Sequence, residues 1–347
     1  MKKALIFGGT GAMGAFLVDI LHSKENWDIY VTSRRQHTSY DNIHYLIGNA
    51  RDSSFTDRVL SEKWDVIVDF MNYGYDEFME SAEKLVSSTD HYIFLSSSRV
   101  YAKSENPLVE SSLRLLDTTH DSEFLATQRY ALRKARQENK LISLKARNYT
   151  IIRPYITFSD NRLQLGVYEK EQWLRRIMNN KPIVIRREIL SHITTLTYGY
   201  DVAMGIFNIM EKNKPDGSAV HIVSEETKKW YDILCIYIDV LRKAGIDPKI
   251  YVSDEISAIE ELYEGGYNTK YDRLYDRFFC NKTAEKLCGH IDYLDIESGL
   301  RRCLNNFIKQ WRQVGDDAFL YYDSDFEQLC DQYIDEGNAE LFTIQEV

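Results

Sequence analysis

Gly8-Gly9-Thr10-Gly11-Ala12-Met13-Gly14 stands between a short apolar run, Ala4–Phe7, and a segment of helical periodicity, Ala15–Leu21. It satisfies a GxxGxxG spacing (Gly8, Gly11, Gly14) and a GxGxxG spacing (Gly9, Gly11, Gly14). In a strand–turn–helix unit of this kind, one glycine permits the tight turn and a second lets the backbone approach a pyrophosphate. A third lets helix and strand pack closely, and the anion sits on the helix N-terminus. The strand before and the helix after separate this reading from an ordinary glycine-rich turn. Gly8, Gly11, Ala12, Met13 and Gly14 are therefore the residues expected to hold a dinucleotide.

Outward from that turn, short apolar runs alternate with helical patterns. Ile29–Thr32, Tyr45–Ile47, Val66–Phe70, Tyr92–Ser96 and Thr150–Arg153 read as strands; Phe55–Glu62, Asp76–Val86 and Leu125–Glu138 read as helices. The alternation predicts βαβ units and a parallel sheet, and cover on both faces explains why its strands are apolar throughout. The fold class is α/β, a doubly wound Rossmann sheet over residues 1–155, with 197–225 returning to it. After Pro154 the segments become longer, more aromatic and more charged: Glu171–Met178, Asp201–Met210, Trp230–Ala244, Ile256–Tyr263 and Ile296–Trp311. They predict a smaller mixed, mainly helical C-terminal substrate lobe over 156–196 and 226–315.

The chain has 347 residues, 44% of them hydrophobic, and a net charge of −10. Ten acids and no Lys or Arg follow Arg312, so residues 316–347 read as an acidic C-terminal appendage, expected to pack as a helix, with disorder as the alternative. An acidic chain is a poor match for nucleic acid, which needs a basic surface. The five cysteines form no CxxC pair, which predicts free thiols in a reducing compartment. No His/Cys/Asp cluster has zinc spacing, so no metal is expected. No apolar run is long enough to span a membrane, and the N-terminal run is too short for a signal peptide; a cytoplasmic location is expected.

The second strand ends Val31-Thr32-Ser33-Arg34-Arg35. Dinucleotide sites specific for NAD usually place Asp or Glu there, on the adenosine 2′-hydroxyl. Ser33 with Arg34 and Arg35 would instead hold a 2′-phosphate, which favours NADP(H) over NAD(H). Asn49 is placed to bond the adenine with Ala50 against its face, and Phe70 closes the fourth strand beside the cofactor.

Tyr130 and Lys134 stand at i and i+4, on one helix face. An ammonium beside a phenol favours the phenolate, which suits a tyrosine to acid–base work near neutral pH. Ser96-Ser97-Ser98-Arg99-Val100-Tyr101 follows the fifth strand, where an open α/β sheet places its ligand. These residues resemble the extended short-chain dehydrogenase/reductases, the NAD-dependent epimerase/dehydratase group that modifies sugar nucleotides. The likeness extends over about residues 1–210. It implies Ser97, three residues before the Val of a Val-Tyr element, as the catalytic serine, with Tyr130 and Lys134 as the YxxxK pair. Arg153-Pro154 and Tyr200-Asp201-Val202-Ala203 match later elements of the pattern.

The sequence departs from the group in places. Ala102 replaces a Gly, and Pro154, Tyr155 and Ile156 stand where an Asn is common. Ser98 and Arg99 stand where dehydratases carry Asp-Glu, which argues against dehydration. The resemblance implies hydride transfer at a hydroxyl or keto carbon of a nucleotide sugar, by an epimerase or a reductase. Arg99, Tyr155, Arg162 and His192 are the expected substrate contacts, with Arg175, Arg176, Arg186 and Arg187 as further sources of charge. Tyr271–Arg277 reads as a solvated helix face with Leu274 inward, and a cleft lining is the alternative. A non-catalytic NADP-binding sensor or RNA-binding relative is the alternative, and a homodimer is among the open oligomeric states.

Overall fold

A computed structural model describes residues 1–212 and 214–344. Six strands build most of the sheet: β1 (Lys2–Phe7), β2 (Trp27–Ser33), β3 (Ile43–Ile47), β4 (Trp64–Asp69), β5 (Thr89–Leu95) and β6 (Tyr149–Ile152). A seventh, β7 (Ala219–Val220), joins the edge beside β6. The spatial order is β7-β6-β5-β4-β1-β2-β3, and every pairing is parallel. This is the expected doubly wound Rossmann sheet. Its order reverses between β1 and β4, where such sheets open a crevice at their C-terminal ends.

The period-2 alternation along β1 shows why its strands are apolar throughout. Ala4 and Ile6 pack with α1 (Gly14–His22) and with Val202, Ala203 and Ile206 of α5 (Gly199–Lys212). Leu5 and Phe7 point to the other face, against Phe55 of α2 (Ser53–Val59) and Phe78, Ala82 and Leu85 of α3 (Tyr75–Ser87). Both faces are thus covered, as parallel sheets require. Helix α4 (Tyr130–Ser143) lies on the α3 side, with Leu141 in that core.

One boundary differs from expectation. The predicted helix Leu125–Glu138 is two pieces, a single turn Ser122–Leu125 and then α4, which begins at Tyr130. Asp121 caps the first piece, the Thr127 hydroxyl ties back to the Phe124 carbonyl, and Arg129 is extended at φ −62°, ψ 154°. Side-chain hydrogen bonds to the local backbone out-compete helix continuation here, and they place Tyr130 at the mouth of a helix rather than in its middle.

The second core is built from α6 (Trp230–Lys243), α7 (Ile296–Val314), α8 (Ser324–Asp335) and a three-stranded sheet of Ile183–Arg186, Ile250–Ser253 and Glu340–Leu341. Trp173, Trp230, Tyr237, Leu304 and Phe307 fill it. The acidic tail packs into this core rather than trailing from it. Phe326 and Cys330 of α8 are buried, and Glu340–Leu341 pairs antiparallel with Tyr251 and Val252. Its last three residues, 345–347, lie outside the described residues. The segment 271–277 is also not a solvated face, because Asp272, Arg273 and Arg277 are buried together. Arg277 and Arg273 pair with Asp272, so mutual neutralisation replaces the solvent. Among the described residues no helix is long and apolar enough to cross a membrane.

Candidate active site

A cleft of about 620 Å³ opens between the C-terminal ends of the sheet strands and the second core. Its Rossmann wall carries Met13, Phe70, Ser96, Ser97, Tyr130 and Lys134. Met13, Ser97, Tyr130 and Lys134, expected from the sequence to serve the turn or catalysis, thus meet in one cavity, although they come from the turn before α1, the segment after β5 and α4.

The glycine turn is shaped by two close approaches. Gly8 has φ +71°, a conformation L side chains rarely adopt. A Cβ on Gly14 would stand 2.7 Å from the Gly8 carbonyl oxygen and 2.7 Å from the Gly9 Cα. Gly11 differs: a Cβ there would meet only the Gly8 oxygen, at 3.3 Å, so its outer side is open. A backbone bared at that point, beside the first turn of α1, is what a pyrophosphate needs.

Three consecutive serines follow β5, and the structure separates their roles. The Ser96 hydroxyl donates to Glu138 Oε1 at 2.5 Å, and the Ser98 hydroxyl donates to the Arg153 carbonyl at 2.7 Å. Ser97 Oγ accepts from the Arg99 backbone N–H at 3.2 Å, and among the described residues its own hydrogen has no acceptor. Ser97 alone can donate to a molecule in the cleft. Beneath it lies a buried network: Arg153 grips Glu138 through two 2.8 Å hydrogen bonds, and Arg114 adds a third contact to that carboxylate at 3.1 Å. Arg153, part of the family-like pattern, therefore braces the wall and does not face the cavity.

Lys134 is 2% exposed. Its Nζ donates to the Leu95 carbonyl at 2.7 Å and lies 4.7 Å from the centre of the Phe94 ring. Burial pushes the ammonium down to about 8, partly opposed by the charge of Asp69. Asp69 is itself fully buried at the end of β4, and desolvation pushes its carboxyl up to about 6 against hydrogen bonds from Tyr92 and the Met71 N–H. The guanidinium of Arg99 stands 5.0 Å from the Tyr130 ring centre, and that of Arg133 stands 5.8 Å away. Two guanidiniums thus flank the Tyr130 ring.

The cleft is also lined by Arg99, Tyr155 and Arg162 of the expected substrate contacts. Each is already engaged. Arg99 meets Glu264 at 3.0 Å and Asp272 at 3.6 Å; the Tyr155 hydroxyl donates to Asp272 at 3.3 Å; Arg162 donates to Glu169 at 2.9 Å. His192 is outside the cavity, 3.1 Å from the Asp276 carboxylate, because Asp276 also binds the neighbouring Ile193 N–H and holds that strand end at the surface. Arg175, Arg176, Arg186 and Arg187 are likewise elsewhere, in ion pairs with Asp316, Glu327, Glu260 and Asp254. Gln164, Glu169, Gln172, Tyr263, Glu264, Asn268, Tyr321 and Asp323 also line the cleft and were not singled out from the sequence, whereas Arg273, also in the lining, belongs to a segment for which a cleft lining was the alternative expectation. The one available signal was the aromatic–acidic mixture of the tail, Phe319 to Asp323.

Ser33 closes β2, and its Oγ accepts from the Arg35 N–H at 3.1 Å. Arg34 and Arg35 are exposed, and among the described residues neither guanidinium has an ion-pair partner. Asn49 is exposed beyond β3, whereas Ala50 is turned into the core with Phe55 and Val59, so Asn49 alone is presented.

Residues 4–223 match the model of the NAD dependent epimerase/dehydratase family. Similar solved structures include a UDP-N-acetylglucosamine 4-epimerase from Methanobrevibacter ruminantium M1 in complex with UDP-N-acetylmuramic acid. It is 18% identical, with a TM-score of 0.68, and the match covers 89% of this chain and 99% of that one. A UDP-glucuronic acid 4-epimerase from Bacillus cereus in complex with NAD is 14% identical at a TM-score of 0.66, covering 91% and 99%. A dTDP-glucose 4,6-dehydratase from Bacillus anthracis in complex with NAD is 15% identical at 0.64, covering 90% and 98%. No match was found among curated protein sequences.

Proposed function

Since the chain belongs to the NAD-dependent epimerase/dehydratase family, we propose that it is a nicotinamide-dependent epimerase or reductase acting at a hydroxyl or keto carbon of a nucleotide sugar. The observation that carries this reading is the convergence of Ser97, with its hydroxyl hydrogen unspent, on the cleft wall of Tyr130 and Lys134. The residues present fit a dinucleotide: Gly11 leaves the turn open, and the buried Lys134 ammonium spends one of its three donors on protein. The dinucleotide, when bound, supplies a hydride acceptor or donor at its nicotinamide ring.

Tyr130 takes the proton of the substrate hydroxyl, or returns it to the oxygen in the reverse direction. Ser97 donates a hydrogen bond to that same oxygen and holds it toward Tyr130. Lys134 keeps a positive charge beneath the phenol and offers its remaining N–H groups to a ribose. Dehydration needs in addition a free acid at the leaving hydroxyl. Ser98 and Arg99 stand where the family's dehydratases carry theirs, and two of the cleft carboxylates are paired with guanidiniums: Glu264 with Arg99 and Glu169 with Arg162.

The test is turnover of a panel of UDP- and dTDP-linked sugars with either dinucleotide, read by mass spectrometry and chromatography. Epimerisation leaves the mass unchanged, reduction adds two hydrogens, and dehydration removes a water. Loss of water as the main outcome would overturn the reaction assigned. Ser97→Ala should lower turnover by about tenfold or more while cofactor affinity stays near the parent's, since it removes one hydrogen bond to the reacting oxygen.

We favour NADP(H) as the cofactor, because two unpartnered guanidiniums and no carboxylate stand at the end of β2. NADPH should bind more tightly than NADH. Arg34→Ala should erase most of the difference, a loss of about 1.5–3 kcal/mol for a charge-assisted contact, or one to two decades in affinity. Fluorescence titration with both cofactors checks this, and equal affinities in the parent protein would defeat it.

A further inference from the structure

The ten acids after Arg312 are out of balance with the rest of the chain, and the structure shows what several of them do. Asp316 pairs with Arg175 at 2.7 Å and accepts from Asn179 at 3.1 Å. Glu327 accepts from Arg176 at 2.6 Å and from Lys181 at 2.8 Å; Asp331 pairs with the same Arg176. The cations all belong to one short stretch, the helix Trp173–Met178 and the turn after it. Immediately before that helix stands Gln172, on the cleft wall. Its Oε1 accepts from the Glu169 N–H at 2.9 Å, and its Nε2 donates to the Tyr321 hydroxyl at 2.8 Å and to Asp323 at 3.1 Å. Asp323 also caps α8 through the Phe326 N–H. The clamp and the cleft wall are therefore neighbouring parts of the same two segments.

We propose that the acidic C-terminal segment is part of the substrate-binding site: Tyr321 and Asp323, locked by Gln172, form a wall that binds the hydroxyl-bearing part of the substrate. The inference rests on the nucleotide-sugar reading and specifies it. The Tyr321 hydroxyl accepts from Gln172, and among the described residues its own hydrogen has no acceptor, so it can donate to a sugar oxygen. The side chain is 45% exposed, and the partial desolvation it does undergo raises the phenol, which keeps the hydrogen in place. Gln164 and Asn268, both at least nine-tenths buried, line the same cavity. A hydroxyl donor beside the Asp323 carboxylate, both held by the one Gln172 amide, suits a polyol, which carries donor and acceptor on every carbon. The polyol is either the ribose or the hexose of a nucleotide sugar.

Tyr321→Phe and Asp323→Asn keep the packing and the helix cap and test the wall with full-length protein. Affinity for UDP, UDP-glucose and dTDP-glucose is measured by calorimetry at saturating cofactor, with KM and kcat for whichever sugar is turned over. The expected result is a rise of about tenfold in Kd and KM, a kcat change below about threefold, and cofactor affinity within about twofold of the parent's. An equal loss for UDP and its sugars assigns the wall to the ribose; a loss for the sugars alone assigns it to the hexose. Both variants binding all three compounds like the parent overturns the proposal. So does a parallel fall in cofactor affinity, which would mark a merely loosened fold. A parent that binds these compounds but turns over none of the sugar panel removes the catalytic reading alone, and the binding measurements still decide the wall. A parent that binds none removes both.

Discussion

Tyr130→Phe should lower turnover of the true substrate by ~10²–10⁴-fold, the usual contribution of a positioned acid–base group. The change deletes one oxygen from a half-buried ring at the first residue of α4. The ring's cationic neighbours, Arg99 and Arg133, can keep their places over phenylalanine, so fold and cofactor affinity should stay near the parent's. The measurement is kcat and KM on the substrate found in the panel, alongside cofactor titration. Near-parent turnover would show that the proton is handled elsewhere, and would move the search to the opposite wall of the cleft. Combined with Ser97→Ala, the loss should be far from additive, because both residues act on one oxygen.

Lys134→Met should separate function from stability. The ammonium is buried, and its folded value, pushed down to about 8, lies below the ordinary 10.5. Between those values the unfolded chain holds more protons than the native one, so native stability rises with pH across that window and is lowest, for this group, below it. The burden at neutral pH is of the order of 3 kcal/mol, at about 1.4 kcal/mol per pH unit of displacement. Methionine keeps the length and removes the charge. The variant should melt at or above the parent's temperature at pH 7, and the gap should close as pH rises through about 8 toward 10.

Cofactor affinity in the same variant should fall by one to two decades, the worth of a charged hydrogen bond of roughly 1.5–3 kcal/mol, and turnover should fall with it. In the parent, turnover should decline above pH about 8 as the ammonium loses its proton. A variant that melts well below the parent while binding cofactor normally would mean that Lys134 is structural.

Asp69 illustrates where pattern reading stops. In the sequence it is the polar end of an apolar strand, and nothing in its neighbours marks it. In the fold it is fully buried with Tyr92 and within electrostatic reach of Lys134, so it acts on the site through another residue. The serines make the same point from the other side. The spacing to Val100 selected Ser97, and the structure supplies an independent reason: Glu138 and the Arg153 carbonyl have taken the other two hydroxyls.

The sequence by itself determined the Rossmann sheet, the glycine turn and the Tyr130–Lys134 pair, because each rests on local rules. A strand's apolar period, a glycine's freedom beside a helix start and an i, i+4 spacing are properties of a few consecutive residues. Only the tertiary structure decided the opposite wall of the cleft. Gln172 meets Tyr321 across 149 residues, and Arg99 meets Glu264 across 165. Such pairs have no period and no fixed spacing. The tail's charge was legible, but whether it was solvated or neutralised depended on which cations the fold brought to it, and a buried ion pair exists only where packing has excluded water from both partners.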